Sequence, residues 1–313
     1  MSESGVEIVE VGPRDGLQNE DRTLPVATRV KMLRRLVVGG TRRVEAVSFV
    51  HPDRVPQMAG AEEVLDGLAA TGVVAEDVRL IGLVLNDRGA QRAAATSCRE
   101  INVVVPVTDE FCRRNQGRSV EGMLEQAAAA TQTARAAEMG VSVTLAVAFG
   151  CPFSGTVGVD RVAEVLDRVL AMGVDEVAFA DTIGVGVPSQ VTSYAALLPT
   201  GASTPGLRYH FHNTRNTGYA NAWTAATLGR PVALDSSVGG FGGCPFAPAA
   251  TGNIATEDLL YLLTRGEVPV TGPVQDLLGL TDVSAWLSKE LDSSVDALLG
   301  RAGGFGGVGE EPS

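Results

Sequence analysis

Apolar residues in this chain fall into short, near-continuous runs, each closed by glycine, proline or a polar turn residue, and eight of these runs read as strands. They are Val6 to Gly12, Val44 to Val50, Leu80 to Asn86, Ile101 to Val107, Val141 to Gly150, Glu176 to Asp181, Tyr209 to Asn213 and Pro231 to Val238. Helix-compatible segments lie between them, including Val26 to Val38, Glu62 to Ala70, Val120 to Met139, Val159 to Met172 and Ala220 to Leu228. A strand that is apolar at nearly every position is buried on both faces, as parallel strands covered by crossover helices are. Eight such alternations predict an α/β fold of the TIM (β/α)8 barrel type, since eight is the number that closes that barrel. The competing arrangement is a doubly wound open sheet. No G-x-G-x-x-G follows the first strand, where the chain reads Val11-Gly12-Pro13-Arg14-Asp15-Gly16, and no P-loop motif occurs. That favours the barrel.

Beyond Ile254 the pattern predicts further helical material at Asp258 to Leu263 and Val283 to Leu299, an extension that could cover one end of the barrel. Residues 1–300 therefore read as one catalytic domain with additional C-terminal helices. Residues 301–313 are Gly-rich, end in Gly309-Glu310-Glu311-Pro312-Ser313, and are expected to be disordered for want of apolar anchors.

Composition narrows the classes of function. Hydrophobic residues make up 45% of the 313 and charged residues 20%, enough for a large core. A net charge of -12 argues against a nucleic-acid partner or an anionic membrane surface, either of which needs a broad cationic face. Cys98, Cys112, Cys151 and Cys244 are widely spaced with no C-x-x-C pair, which fits a reduced, cytoplasmic setting better than a disulfide framework or a zinc–thiolate site. The N-terminal residues show no basic n-region and apolar h-region, and no apolar stretch approaches membrane-spanning length.

Candidate chemistry starts from Tyr209-His210-Phe211-His212-Asn213, which holds two of the three histidines. Side chains at i and i+2 of a strand leave the same face, so His210 and His212 would stand side by side as a metal-binding pair. Taken alone, they could equally be two polar residues near a strand end. In a TIM barrel the active site lies at the C-terminal ends of the strands, where this chain puts Arg14 and Asp15 after strand one, Glu45 and Ser48 on strand two, and Asp181 at the end of strand six. Strand eight runs into the glycine-dense Gly239-Gly240-Phe241-Gly242-Gly243-Cys244-Pro245. This is a flexible connector or a loop over the mouth, and in the second case Cys244 is more than a packed thiol. Asn253 suits either an N-cap to the helix containing Glu257 and Leu259 or a ligand position. Asp15, His210, His212 and Asn253 would give two nitrogen and two oxygen donors. That set suits Mg²⁺ or Mn²⁺, while the imidazoles also suit Zn²⁺.

A longer pattern surrounds these residues. Val9-Glu10-Val11-Gly12-Pro13-Arg14-Asp15-Gly16-Leu17-Gln18-Asn19-Glu20 is followed by Val44 to Val50, Val55-Pro56-Gln57-Met58, Phe149-Gly150-Cys151-Pro152-Phe153 and Asp181 to Gly186. The pattern closes with Asp235 to Phe246 and Ala250 to Leu259. Together they resemble the signatures of 3-hydroxy-3-methylglutaryl-CoA lyases, within the DRE-TIM metallolyases, over residues 5–300. The resemblance implies a divalent metal held by Asp15, His210, His212 and Asn253. It implies that Arg14 steadies an enolate oxygen, Glu45 supports the site, Asp181 lies near the substrate hydroxyl, and Cys244 is the loop thiol needed for turnover. Gln18, Ser48, Thr182 and Arg215 are candidates for substrate contact.

The reaction so implied is retro-Claisen cleavage of a 3-hydroxyacyl-CoA to acetyl-CoA and a keto acid such as acetoacetate. Its proton acceptor would be His210 or Asp181 and its proton donor Cys244. Arg113 and Arg114 could meet CoA phosphates, or could be a solvated charge pair. The chain departs from the family pattern His-x-His-Asp-Thr-Tyr-Gly-Gln, reading His210-Phe211-His212-Asn213-Thr214-Arg215-Asn216-Thr217, and His51 beside Pro52 is a smaller difference. A neutral Asn213 and an added cation at Arg215 bear on which acyl group is accepted. A Claisen-type condensing acyltransferase and a non-catalytic acyl-CoA-binding barrel are the alternatives, and a homo-oligomer is compatible with all three.

Overall fold

The computed structural model describes residues 5–201, 204–243, 252–273 and 276–305. Its strands are β1 Val6–Glu10, β2 Arg43–Ser48, β3 Arg79–Val84, β4 Glu100–Pro106, β5 Gly140–Ala146, β6 Glu176–Asp181, β7 Gly206–Phe211 and β8 Val232–Ser236. All eight pair in parallel, in chain order, and β8 closes on β1. The expected TIM barrel is the fold observed.

Around the barrel lie α1 Val26–Val38, α2 Ala61–Ala70, α3 Asp87–Ala94, α4 Asp109–Gln116, α5 Val120–Ala136, α6 Val159–Leu170, α7 Pro188–Leu197 and α8 Gly218–Ala226. Each longer helix turns one apolar stripe to the strands, as α6 does with Val162, Val165, Leu166 and Val169. The sequence reading missed α3, α4 and α7 as helices. Local signals explain α3 and α7 better than periodicity does. Asn86 caps α3 by accepting from the Gly89 amide at 3.0 Å, while α7 opens on Pro188, whose fixed φ suits a first helical turn. The strands also end earlier than the apolar runs, because segments such as Val147 to Gly150 are buried turns, with Val147 at φ 53°.

Among the described residues, two longer helices follow the barrel, α9 Thr256–Arg265 and α10 Leu277–Leu291. The helix expected over Val283 to Leu299 instead begins at Leu277 and stops at Asp292, which adopts a left-handed conformation at φ 55°. Beyond it the chain returns to the barrel mouth, where the amides of Asp296 and Ala297 both donate to the carbonyl of Gly239. Asp258 on α9 accepts from the Leu298 and Leu299 amides at 2.8 and 2.7 Å. The extension thus buttresses the loop after β8. A helical turn at Leu299–Ala302 runs into the first two residues of the tail expected to be disordered, and residues 306–313 are outside the described residues.

The barrel interior is filled with charge where hydrophobic layers would be usual. Arg43 donates to Glu7, Glu100 and Glu176, and Arg208, fully buried, donates from Nε to Asp235 while its terminal nitrogens lie 3.6 and 3.7 Å from Glu176 and Glu45. Desolvating such groups is costly, so each is held in place by its counter-charges. Replacing Arg208 with Ala would leave three carboxylates short of a partner. We expect a loss of about 3–5 kcal/mol in unfolding free energy, measured by urea denaturation.

Candidate metal centre and active site

The first site residues lie beyond β1 and not on its end. The Gly12 amide is taken by the Glu10 side chain at 2.7 Å and Pro13 has no amide, so the parallel ladder stops at Glu10. The chain then makes a widened turn, Gly12–Gly16, in which the Gly16 amide reaches the carbonyl of Val11 at 3.2 Å. Such π-type turns re-aim side chains, and here Arg14 and Asp15 face the barrel axis. A Cβ at position 12 would come within 2.6 Å of Glu10 Oε1, which requires glycine there. The same carboxylate accepts from the Val238 amide at 3.0 Å and the Thr256 hydroxyl at 2.7 Å. One buried group therefore ties together the Arg14 turn, the loop after β8 and the start of α9.

His210 is on β7, and His212 follows in an isolated antiparallel bridge with Asn253. Their Nε2 atoms face each other at 3.0 Å, the same-face arrangement expected from their spacing. His210 Nδ1 is 3.1 Å from Asp235 Oδ2, which fixes the proton on Nδ1 and turns Nε2 toward the centre. Asn253 does not cap α9; Ala255 occupies that position. Instead its amide nitrogen donates to Asp15 Oδ2 at 2.9 Å and to the Phe241 carbonyl at 3.0 Å, while its Oδ1 is buried without a protein partner. Gly242, at φ +112°, allows this approach, since a Cβ there would meet Asn253 Nδ2 at 2.5 Å.

Asp15, His210 and His212 bring one ligand atom each within 4.8 Å of one another, and the unpartnered oxygen of Asn253 adds a fourth. Two imidazole nitrogens in contact, a carboxylate and an orphaned carbonyl oxygen fit a metal ion. Electrostatics agree with this. Burial pushes the Asp15 carboxyl up, but Arg14 beside it and both histidines hold it well below the usual carboxylate range. Burial and the neighbouring His210 drive His212 down to about 3, so it is neutral and able to ligate. For His210, burial is outweighed by the hydrogen bond to Asp235 and the charge of Asp15, and its pKa is raised.

The cavity beside this centre measures about 550 Å³ and is lined by Arg14, Asp15, His210 and His212. Gln18 and Thr182, proposed for substrate contact, line it too, and Thr182 accepts from the Val147 amide at 2.8 Å. Glu45 supports the site from beneath, receiving Arg14 Nε and the Asn102 amide. Asp181 is fully buried, its two oxygens held by the Val185 and Gly186 amides at 2.8 and 2.9 Å, and burial raises its pKa. Ser48 is buried with an unpartnered hydroxyl, but it is not among the described residues lining the cavity. Arg215 is not brought to the site. It is exposed, and its guanidinium donates to the carbonyls of Ile183 and Gly184 at 2.9 and 3.0 Å, because the turn after β7 points it at the loop after β6. Cys244 lies outside the described residues.

Arg113 pairs with Asp109 at 3.5 Å, and Arg114 lies over the Phe153 ring at 4.2 Å, so neither faces the cavity. Besides Arg14, the arginines that line it among the described residues are Arg54 and Arg118, which the sequence motifs do not single out. Arg54 follows β2, and attention to every loop at a strand's C-terminal end would have found it. Asp235 was also missed as a functional group, although its place opposite His210 in the β7–β8 register is what orients the imidazole.

A family model described as HMGL-like matches residues 5–284. The chain belongs to the HMGL-like family. Among its relatives, the (R)-citramalyl-CoA lyase of Chloroflexus aurantiacus is 40% identical over 304 residues, covering 95% of each chain. The hydroxymethylglutaryl-CoA lyase of Pseudomonas mevalonii is 38% identical over 297 residues, covering 95% of this chain and 96% of its own. The crystal structure of hydroxymethylglutaryl-CoA lyase from Pseudomonas aeruginosa superposes with a TM-score of 0.86 at 34% identity, covering 96% and 97% of the two chains. The resemblance read from the motifs is therefore borne out, with citramalyl-CoA lyase as a second named activity among the relatives.

The HMGL-like centre yields two expectations. Asp235→Asn removes the carboxylate that orients His210 and should weaken Mn²⁺ binding about 10–100-fold, while His212→Ala should abolish retention, both read by equilibrium dialysis. The second concerns Glu257, which holds the Gly239 amide with both oxygens and is pushed up by burial from 4.5 to about 7. The unfolded chain releases this proton first, so the folded protein loses stability as pH rises from about 4.5 to about 7. Glu257→Gln should lessen the fall across that window in denaturation titrations, with Glu10, which burial also raises to about 7, and Asp181, which burial raises too, still contributing to it.

Proposed function

We propose that this carbon–carbon lyase cleaves a 3-hydroxyacyl-CoA of the 3-hydroxy-3-methylglutaryl or citramalyl kind, releasing acetyl-CoA and a keto acid. The carrying observation is the convergence of Asp15, His210, His212 and the Asn253 carbonyl oxygen beside Arg14 in one cavity. The reaction moves one electron pair. As the tertiary hydroxyl loses its proton, its oxygen becomes the carbonyl of the keto acid, the carbon–carbon bond breaks, and the pair passes to the thioester as an enolate.

A divalent ion held by Asp15, His210, His212 and Asn253 would supply the Lewis acidity that lowers the pKa of that hydroxyl. Its two-nitrogen, two-oxygen, thiolate-free donor set suits Mg²⁺ or Mn²⁺, and its imidazoles suit Zn²⁺ as well. Arg14 donates to the enolate oxygen, and Glu45 keeps its guanidinium aimed there. The hydroxyl proton has two candidate acceptors, His210, which lines the cavity, and Asp181, whose raised pKa suits the role but whose neighbours Ala180 and Thr182, rather than Asp181 itself, form the cavity wall. Cys244 returns a proton to the enolate carbon. Gln18 and Thr182 contact the acyl chain, and Arg54 and Arg118 meet the CoA phosphates.

A relative supports the choice of carrier: the hydroxymethylglutaryl-CoA lyase of Acinetobacter baumannii, 31% identical with a TM-score of 0.87 over 97% of each chain, was solved with coenzyme A and 3-methylmalate. Cys98, Cys112 and Cys151 are free thiols, consistent with a reducing, cytoplasmic compartment. The condensing reaction is the weaker reading, because the named relatives are lyases.

Mass spectrometry of acetyl-CoA released from a panel of 3-hydroxyacyl-CoA thioesters by the metal-supplemented protein tests the proposal, and no release from any member overturns it. Cys244→Ser should retain metal and lose turnover by about 100-fold or more.

A further inference from the structure

Where strands β3 to β6 form the cavity wall, it is apolar at Leu83, Val104, Ala146 and Ala180 and polar at Asn102 and Thr144. Both side chains are buried, at 2% and 8% exposure, and they bond to each other, the Thr144 hydroxyl donating to Asn102 Oδ1 at 2.9 Å. Asn102 Nδ2 donates one hydrogen to Glu45 Oε2 at 2.7 Å, which fixes the amide's orientation. A second amide hydrogen and the lone pairs of the Thr144 hydroxyl are then left over. A polar pair in an otherwise apolar wall serves discrimination, since a substrate group that cannot pair with it leaves buried donors and acceptors unsatisfied.

We infer that Asn102 and Thr144 are the specificity-determining pair of this lyase, selecting a 3-hydroxyacyl-CoA whose acyl half carries an oxygen-bearing substituent, a carboxylate or hydroxyl, over one that carries an alkyl group. The inference rests on the thioester-lyase reading above. A hydroxyl accepts from Asn102 and donates to Thr144 with the pair as it stands. A carboxylate oxygen accepts from Asn102 and, once the Thr144 hydroxyl rotates, from Thr144 as well. Arg215, the cation expected from the sequence to choose the acyl group, is anchored elsewhere.

The test measures kcat and KM for three thioesters that differ only in ending the acyl half with a carboxylate, a hydroxymethyl or a methyl group. In wild-type protein the first two should exceed the methyl compound in kcat/KM. Thr144→Val and the double variant N102V/T144V should lower that ratio about tenfold or more, mainly through KM, and Thr144→Ser should restore it. If the pair only supports Arg14 through Glu45, all three substrates lose kcat together and the ratio holds; that outcome overturns the inference, as does an unchanged ratio with unchanged kcat. Thr144→Val, which removes one hydroxyl at constant shape, keeps the test available if the double variant does not fold. Failure of the lyase reading is distinct, because wild-type protein would then release acetyl-CoA from none of the three.

Discussion

The buried guanidinium of Arg208 is the constraint on which the active end of this barrel depends. It orients Asp235, which orients the His210 imidazole, which aims one nitrogen at His212 and Asp15. Every member is out of water, so each charge is strongly felt by the next and none can turn away without losing its partner. A parallel ladder then sets the spacing: Arg208 and His210 alternate inward along β7, and β8 places Asp235 opposite His210. Metal affinity, imidazole tautomer and barrel stability are thus one problem in this protein.

Around that column the loops converge through side chain–backbone contacts. Glu10 holds three separate segments, Glu257 holds Gly239, and Asn253 bridges Asp15 to Phe241. None of these is a long-range hydrophobic contact. They are directional bonds made by buried groups, and directional bonds are what ligand geometry requires. The C-terminal helices contribute at the same place, since residues after α10 bond to Gly239 and so brace the loop from behind.

Much of this was legible in the chain. Eight apolar runs of strand length with helical spacing between them specify the barrel, because burial on both faces leaves few other architectures. The i, i+2 spacing of His210 and His212 predicted their shared face. Short helices were harder to read: α3 and α7 depend on a cap and a proline more than on a stripe, and the strand ends were overrun because buried turns are as apolar as strands. Arg14 and Asp15 read as the end of the first strand's run, and an intercepted amide at Gly12 and the missing one at Pro13 end the ladder before them.

By itself, then, the sequence determined the fold class, the inward-facing histidine pair and the family signature, all of which follow from periodicity or from contiguous residues. Only the tertiary structure decided which charges meet. Arg215 is adjacent to the metal strand in sequence yet bonds to the β6 loop, while Arg54 and Arg118, far apart in the chain, line the same cavity. Asn253 became a bridge and not a cap because an antiparallel contact with His212 carries it across the barrel mouth. Asn102 and Thr144 interrupt two largely apolar strands, and the closed barrel sets them side by side. Barrel closure decides these matters because it joins residues by strand register, which a linear reading of residue types does not carry.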